Sequence, residues 1–300
     1  MRLSVVIPAH DAEGTVAAAI ASARAQTLPP DEVVVVDDGS TDGTASVAAS
    51  CGATVVRQAQ GGPSAARNAG VDASSGEWIA FLDADDEWHP DKLARQMPYA
   101  GVDGTVLVAT DWSRALVAGP APAEVPTSVL TSEQILLLNR FQTSTVLLER
   151  SAFYAAGSFD PSLDGVEDWD MWLRASCRGR VVKLDWPFVR YTDTASGYSK
   201  GLERVYRTGR TMLERRFGST PSRHEREILA WHHLRFAVAF ALDGDRGAAR
   251  RCLVECHEHG LDAVAPSAAA RYLVPFLARR VSRRLPFRRP APAAEGAPPA

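Results

Sequence analysis

The stretch WIAFLDADD, residues 78–86, decides the fold. Its first five residues form a short apolar run that is typical of a buried strand, and a cluster of aspartates follows at once. Alternate carboxylates at a strand end, here Asp83 and Asp85, can point to one place and offer the hard oxygen ligands that suit Mg²⁺ or Mn²⁺. The alternative is structural, because Asp85 or Asp86 could cap a following helix.

Two more predicted strands end in polar residues in the same way. The run LSVVIP, residues 3–8, leads into Ala9-His10-Asp11, and EVVVV, residues 32–36, leads into an acidic loop that begins at Asp37. Helical patterns of about ten residues alternate with these strands, which favours a parallel sheet covered on both faces. Ligands of such sheets bind beyond the carboxyl ends of the strands, so we expect the functional site where the three polar ends meet.

Composition and charge exclude several classes of protein. The chain has 300 residues and a net charge of −3, but residues 1–200 carry −11 and residues 201–300 carry +8. The acidic first part argues against a nucleic-acid partner and is compatible with a bound divalent cation. The longest stretch without charge has 14 residues, too few for a membrane span, and the chain opens directly into a strand pattern, so we expect a cytoplasmic protein.

Two further motifs place acidic residues at loops and helix starts. In VVVVDDGSTDGT, residues 33–44, glycines allow a tight loop and Asp38 is placed to accept a hydrogen bond from a nucleobase N–H or a ribose hydroxyl; an Asx-type turn is the alternative. In EDWD, residues 167–170, carboxylates open a helix, where the helix dipole stabilises them. Such a carboxylate suits a general base, and a simple helix cap is the alternative.

The last hundred residues have a different pattern. Residues 201–285 are predicted to be helical, with an αα-hairpin formed by 222–242 and 248–259, and residues 286–300 form a Pro/Ala-rich tail with a disordered composition. Residues 271–289 contain seven arginines and no acidic residue, interleaved with apolar side chains. Two interpretations stay open for this segment: peripheral contact with an anionic membrane, or a helix whose arginines face water.

Together the motifs resemble those of bacterial family 2 glycosyltransferases. The matching stretches cover about residues 1–195 and are VVIPAHDAEGTVAAAIASARAQTLPPDEVVVVDDGSTDGT (5–44), GGPSAARNAGVDASSGEWIAFLDADDEWHPDKL (61–93) and GSFDPSLDGVEDWDMWLR (157–174). The resemblance implies an α/β protein with the GT-A fold, a mostly parallel central sheet with helices on both faces. The helical pattern of residues 201–285 adds a C-terminal α-helical extension to this fold class. The implied catalytic domain spans residues 1–200.

The resemblance also implies roles for particular residues. Those implied for donor binding are Pro8, Ala9 and His10 around the nucleotide, Asp38 at the base, Arg67 in the diphosphate pocket and Asp83 near the ribose. Asp85 is the implied metal ligand, with Asp83 beside it, and the cofactor is a divalent metal, Mn²⁺ or Mg²⁺. Glu167 and Asp168 form the catalytic pair, with Asp168 as the base.

These roles predict an inverting glycosyltransferase. A sugar would pass from a nucleotide-diphosphate donor, with UDP as the expected nucleotide, to a hydroxyl of a saccharide or lipid-linked glycan acceptor. The alternative is a sugar-nucleotide-binding or scaffold protein of the same fold with little or no turnover. A dinucleotide-binding oxidoreductase is disfavoured, because no G-x-G-x-x-G follows the first strand.

The chain departs from the family pattern at two places. Family members often carry tyrosine and asparagine where this chain has His10 and Asp11. Many also carry a YRxH-like segment after the last strand, where this chain has YTDT, residues 191–194. Either Lys200 or Arg204 is the predicted substitute for its cationic groups. An enzyme with a lipid-linked acceptor would work at the inner face of the membrane.

Overall fold

The computed structural model describes residues 1–115, 117–192 and 201–259. The chain divides into two compact units, Met1–Arg216 and a second unit that begins at Phe217. The domain boundaries predicted at residues 200 and 285 stay predictions.

The strands follow the apolar runs of the sequence. Their bounds are β1 Leu3–Ala9, β2 Glu32–Asp38, β3 Thr54–Gln58, β4 Trp78–Phe81, β5 Glu87–Trp88, β6 Thr105–Ser113, β7 Thr127–Leu130, β8 Leu147–Glu149 and β9 Arg180–Arg190.

The helices alternate with these strands in the first part of the chain and follow one another at its end. Their bounds are α1 Val16–Arg24, α2 Thr44–Ser50, α3 Gly62–Ala73, α4 Lys92–Gln96, α5 Ser132–Leu137, α6 Arg150–Ala156, α7 Glu167–Ser176, α8 Leu202–Phe217, α9 Arg223–Asp243 and α10 Arg246–Glu258.

The strands form one sheet in the order β3-β2-β1-β4-β8-β6-β9-β5, with β7 paired to β9. Strands β3, β2, β1 and β4 are parallel, as predicted. Strand β8 is antiparallel to both β4 and β6, so β6 runs in the same direction as β4 and presents its carboxyl end at the same edge. The predicted fold class is confirmed, and all strand ends that carry the motifs lie at one edge of the sheet.

Helices cover both faces of the sheet because the strands are apolar on both sides. In β2, Val33 and Val35 belong to a core cluster that includes Val16 and Ile20 of α1, whereas Val34 and Val36 pack with Ala66 of α3. This alternation follows from the two-residue period of a strand. A continuous run of β-branched residues therefore predicts a strand that is buried on both faces.

One glycine sets how closely α3 packs on the sheet. A Cβ at Gly70 would lie 2.3 Å from Cγ1 of Val6 and 3.1 Å from Cγ2 of Val36. The helix backbone therefore approaches β1 and β2 more closely than any larger residue would allow. This contact places the start of α3, with Arg67 one turn before Gly70, above the edge of the sheet that carries the motifs.

Three strands have irregular limits. Residues 143–145 form a short 3₁₀ turn, and β8 begins only at Leu147. Strands β6 and β9 are long, because their parallel pairing continues past a register shift near Asp111 that accommodates Pro187. Such irregularities are where proline is tolerated within a sheet.

The second unit contains the predicted αα-hairpin. Helix α9 begins with a capping box between Ser222 and Glu225 and ends at Gly244, which adopts a left-handed conformation. Asp245 then caps α10 by accepting a hydrogen bond from the backbone N–H of Ala248 at 2.8 Å. Across residues 1–115, 117–192 and 201–259, none of the helices combines the length and the apolar composition that a membrane crossing requires.

Candidate active site

The carboxyl ends of β1, β2 and β4 and the amino end of α7 surround a cavity of about 630 Å³. The nine residues that the resemblance implies for donor, metal and catalysis all line it: Pro8, Ala9, His10, Asp38, Arg67, Asp83, Asp85, Glu167 and Asp168. The structure thus brings together side chains that are up to 160 residues apart in the sequence. Their individual roles stay predictions.

The aspartate cluster after β4 divides into two groups. Asp83 and Asp85 line the cavity, whereas Asp86 is 1% exposed and points inward. Asp86 accepts hydrogen bonds from the Ser144 hydroxyl at 2.5 Å and from the Thr192 backbone N–H at 2.9 Å. Burial and the neighbouring charge of Asp83 raise the pKa of Asp86 to about 8. Asp86 therefore fixes Thr192, two residues after the end of β9, instead of capping a helix.

The Asp83 and Asp85 carboxylates fit a divalent cation. The Asp83 side chain is 28% exposed. Arg67 contacts its Oδ1 and not its Oδ2. Two carboxylates at one wall of an open cavity supply hard oxygen ligands, and the remaining space suits phosphate oxygens or water. The donor set is thus chemically suited to Mg²⁺ or Mn²⁺.

Arg67 connects the two acidic walls of the cavity. Its Nη2 donates to Oδ1 of Asp83 at 2.9 Å, and its Nη1 donates to Oε1 of Glu167 at 2.8 Å. The side chain is 5% exposed and stacks over the ring of Phe159. Burial opposes the charge, but the two carboxylates outweigh it and raise the pKa of Arg67, so the guanidinium stays charged. Arg67 ties β4 to α7.

Asp38 organises the loop between β3 and α3. Its carboxylate accepts hydrogen bonds from the backbone N–H groups of Gly61 and Gly62, both at 2.8 Å, and from the Gln58 amide at 2.7 Å. The Asp38 carbonyl oxygen lies 2.9 Å from Nδ1 of His10. This arrangement holds the loop and the exposed His10 ring at the end of the cavity that β1 and β2 form.

The residue after His10 explains one departure from the family pattern. Asp11 has φ +46°, in the left-handed region that asparagine and aspartate tolerate better than most other residues. Its carboxylate accepts a hydrogen bond from the Thr41 backbone N–H at 2.8 Å. Aspartate can therefore stand in this turn where the family often has asparagine.

Asp168 lies in the first turn of α7, where the helix dipole favours negative charge. Its Oδ1 accepts a hydrogen bond from the Trp169 backbone N–H at 2.6 Å, and its Oδ2 accepts one from the Asn139 amide at 2.9 Å. Burial and the charge of Glu167 raise the pKa of Asp168 to about 7, against the opposing effects of Asn139 and Arg67. A carboxylate with this pKa is suited to accept a proton near neutral pH.

Several side chains around the cavity have no counterpart among the predicted site residues. Asn139 bonds to Asp168, and the Ser144 hydroxyl accepts from the Asp83 backbone N–H at 3.0 Å while it donates to Asp86. Gln142 and Thr143 line the cavity directly. These residues lie between positions 139 and 144, in a polar stretch without periodicity, so no pattern in the sequence indicated them.

The first two residues of the segment that lacks the YRxH pattern border the same cavity. Tyr191 and Thr192 line it, and Tyr191 packs against Trp112 with ring centroids 5.1 Å apart. Arg204 of α8 lies next to Gly165, another lining residue, since a Cβ at Gly165 would be 3.4 Å from its Cδ. Lys200, Asp193 and Thr194, together with residues 271–300, lie outside the described residues.

Comparison with protein families and curated relatives gives consistent findings. The family model described as "Glycosyl transferase family 2" matches residues 4–157. The succinoglycan biosynthesis protein ExoO of Rhizobium meliloti (strain 1021) is 42% identical over 106 residues, which are 34% of this chain and 30% of that protein. The amylovoran biosynthesis glycosyltransferase AmsB of Erwinia amylovora is 29% identical over 209 residues, which are 63% of this chain and 68% of that protein.

The alignments with the first four curated relatives span only about a third of those relatives' lengths. Solved structures resemble a larger share of the chain. S. aureus TarS 1–349 in complex with UDP-GlcNAc superposes with a TM-score of 0.67 at 20% identity, covering 94% of this chain and 88% of that one. The mannosyltransferase PcManGT from Pyrobaculum calidifontis, in complex with GDP-Man and Mn²⁺, gives 0.62 at 19% identity, covering 94% and 83%. At these identities the likeness establishes the fold, which is GT-A as predicted.

Proposed function

The chain belongs to glycosyl transferase family 2, and we propose that it is an inverting, metal-dependent enzyme that transfers a sugar from a nucleotide-diphosphate donor to a hydroxyl group. In the proposed reaction the acceptor oxygen attacks the anomeric carbon of the donor sugar. As the new C–O bond forms, the bond from that carbon to the diphosphate oxygen breaks, and the nucleoside diphosphate leaves with the electron pair. Asp168 takes the proton of the acceptor hydroxyl.

One observation carries this proposal: a single cavity holds a pair of metal-suited carboxylates on one wall and a carboxylate with a raised pKa on another. Asp83 and Asp85 would hold the divalent cation, which neutralises charge on the departing diphosphate when it is bound. Asp168 has a pKa of about 7, so it is sufficiently ionised at neutral pH and basic enough to assist proton removal.

We propose that Arg67 mainly positions other residues and does not act only by binding phosphate directly. Because both of its terminal nitrogens donate to carboxylates, its main task would be to set the distance between the metal-suited wall and the helix that carries Asp168. A preorganised arrangement of this kind stabilises charge in the transition state without reorganisation during the reaction. Arg204 lies next to the lining residue Gly165. We propose that it binds the diphosphate in place of the missing YRxH groups.

The nucleoside would occupy the end of the cavity formed by Pro8, Ala9, His10 and Asp38. Asp38 would bind the base. Its carboxylate also accepts hydrogen bonds from the neighbouring loop, so the same residue would hold that loop beside the base. We propose UDP as the nucleotide; TarS, which shares the fold, is described in complex with UDP-GlcNAc.

For the acceptor we propose a saccharide of a surface polysaccharide or another glycoconjugate, including lipid-linked glycans. ExoO and AmsB are named for the biosynthesis of succinoglycan and amylovoran, both of which fit this class. A lipid-linked acceptor would place the enzyme in the cytoplasm at the inner face of the membrane, with residues 271–289 as the contact.

Donor hydrolysis provides the test, because water can replace an unidentified acceptor. Purified chain is incubated with a panel of nucleotide sugars, with Mn²⁺ or with EDTA, and the released nucleoside diphosphate is measured. We expect release from a UDP-sugar that depends on Mn²⁺ and is lost in Asp85→Ala and in Asp168→Asn. Glu124→Gln, an exposed carboxylate that does not line the cavity, serves as the matched control and should keep full activity.

Two outcomes would contradict the proposal. Tight binding of a nucleotide sugar without release of nucleoside diphosphate would favour the alternative, a sugar-nucleotide-binding or scaffold protein of the same fold. Equal release in wild type and Asp168→Asn would remove Asp168 from the role of base.

A further inference from the structure

Asn139 touches Asp168 from outside the motifs of the family. It follows α5, and its Nδ2 donates to Oδ2 of Asp168 at 2.9 Å, while the Trp169 backbone N–H donates to Oδ1 at 2.6 Å. The carboxylate is thus held by two donors on different elements, one at each oxygen. A donor to an ionised carboxylate stabilises the charged form, which is the form that can act as a base.

The other end of the Asn139 amide is unusual. Its Oδ1 is buried, and within the described residues it has no hydrogen-bond partner. A side-chain amide carries a donor group and an acceptor group that exchange places when it rotates by half a turn. Since Oδ1 makes no hydrogen bond to any described residue, such a rotation would break no bond there.

We infer that Asn139 is a positioning residue that follows the proton of Asp168 through the reaction, an inference that rests on the proposed function. Before transfer, the Asn139 N–H donates to the ionised carboxylate. When the acceptor O–H bond breaks and Asp168 gains that proton, the new carboxyl O–H can donate to Asn139 Oδ1 after the amide has rotated. Asp168 therefore keeps a partner in both protonation states, which an aliphatic side chain or a fixed donor cannot provide.

Charged groups on two elements act on Asp168. Glu167 on the same helix opposes its ionisation, and Arg67 of α3 favours it. Asn139 is neutral, so its removal changes the hydrogen bonding of Asp168 without changing the charge of the site. This separation makes the residue testable by a pH profile.

The test measures nucleoside diphosphate release from a UDP-sugar with Mn²⁺ between pH 5 and 9 for the full chain and for Asn139→Leu, which keeps a similar size without polar atoms. We expect kcat to fall by about tenfold or more, and the acid limb of kcat to move up by about one pH unit, as for loss of a hydrogen bond to a charged group. The KM for the donor should change less than twofold, since Asn139 does not touch the donor end of the cavity.

A second variant keeps the test independent of folding. Asn139→Asp has nearly the same shape and places a second carboxyl group beside Asp168, so the acid limb should move up further than in Asn139→Leu. Arg140→Lys, at the next position, keeps its charge and serves as the control with an unchanged profile.

The outcomes separate this inference from the proposed function. Suppose that wild type releases nucleoside diphosphate and Asp168→Asn does not. If both Asn139 variants then keep the wild-type kcat and the wild-type acid limb of the kcat–pH profile, the inference is overturned while the proposed function stands. If wild type and every variant fail to release nucleoside diphosphate from any donor, both are overturned.

Discussion

Replacing Arg67 with methionine removes the guanidinium that bridges the two acidic walls of the cavity. Methionine keeps much of the apolar length of the side chain, so the change mainly deletes the charge, its hydrogen bonds and the stacking of the guanidinium over Phe159. It leaves Glu167, which is 7% exposed, and Asp83, which is 28% exposed at its side chain, without their shared cation.

The expected loss of stability follows from this burial. Breaking a buried ion pair by removing one partner costs about 3–5 kcal/mol, and the partial exposure of Asp83 places this case near about 3 kcal/mol. For a unit of this size, about 1 kcal/mol lowers the Tm by about 2–4 °C, so we expect Arg67→Met to lower the Tm by roughly 6–12 °C at pH 8.

The assay is thermal unfolding of wild type and variant at pH 8, in EDTA so that bound metal does not contribute. Arg150→Met is the matched control, because Arg150 donates to neutral partners, the Val71 carbonyl at 2.7 Å and the Ser74 hydroxyl at 2.8 Å. Its loss leaves no charged group unpaired, so Arg150→Met should lower the Tm by less than Arg67→Met does.

Two results would refute this reasoning about Arg67. A Tm within 2 °C of wild type at pH 8 would mean that the bridge contributes little to stability. A loss of Tm in Arg150→Met as large as in Arg67→Met would mean that unpaired carboxylates are not its cause.

Three further predictions concern other parts of the first unit. Gly70→Ala should destabilise the chain by about 1–3 kcal/mol, because its Cβ would lie 2.3 Å from Cγ1 of Val6. The control Gly14→Ala, whose Cβ would have nothing within 4 Å, should change stability by less than about 0.5 kcal/mol. Chemical denaturation measures both variants. The kcat for donor hydrolysis should fall as the pH drops through about 7, because Asp168 loses its basic form by protonation; a flat profile from pH 5 to 9 would contradict its assignment. Asp38→Asn replaces an acceptor of the Gly61 and Gly62 N–H groups by an amide with a single acceptor atom, so the affinity for UDP should weaken by about tenfold in calorimetry; an unchanged affinity would separate this loop from nucleotide binding.

The placement of the cavity could be predicted from the sequence because it depends on local patterns and one general rule. Each of β1, β2 and β4 is an apolar run that ends abruptly in polar residues, and the carboxyl ends of parallel strands meet at one edge. Asp38, Asp83 and Asp85 therefore come together without any knowledge of side-chain packing.

The partners of these side chains could not be predicted in the same way. Arg67 bonds to Glu167 across 100 residues, Ser144 to Asp83 across 61, and Asn139 to Asp168 across 29. Each contact joins polar residues that carry no periodic signal, and each depends on how β8 and α7 are seated against β4. The antiparallel insertion of β8 between two parallel strands is likewise a long-range choice that no local pattern expresses.

The central claim is that Asp83 and Asp85 hold the cation and diphosphate of a sugar donor opposite the base Asp168. A crystal structure of the chain with Mn²⁺ and a non-hydrolysable UDP-sugar tests it most directly. We expect the metal bound to Asp85, the diphosphate on that metal, and the Asp168 carboxylate facing the anomeric carbon from the side opposite the diphosphate. A nucleotide bound away from the edge formed by β1, β2 and β4, or an Asp168 carboxylate turned away from the sugar, would contradict the claim.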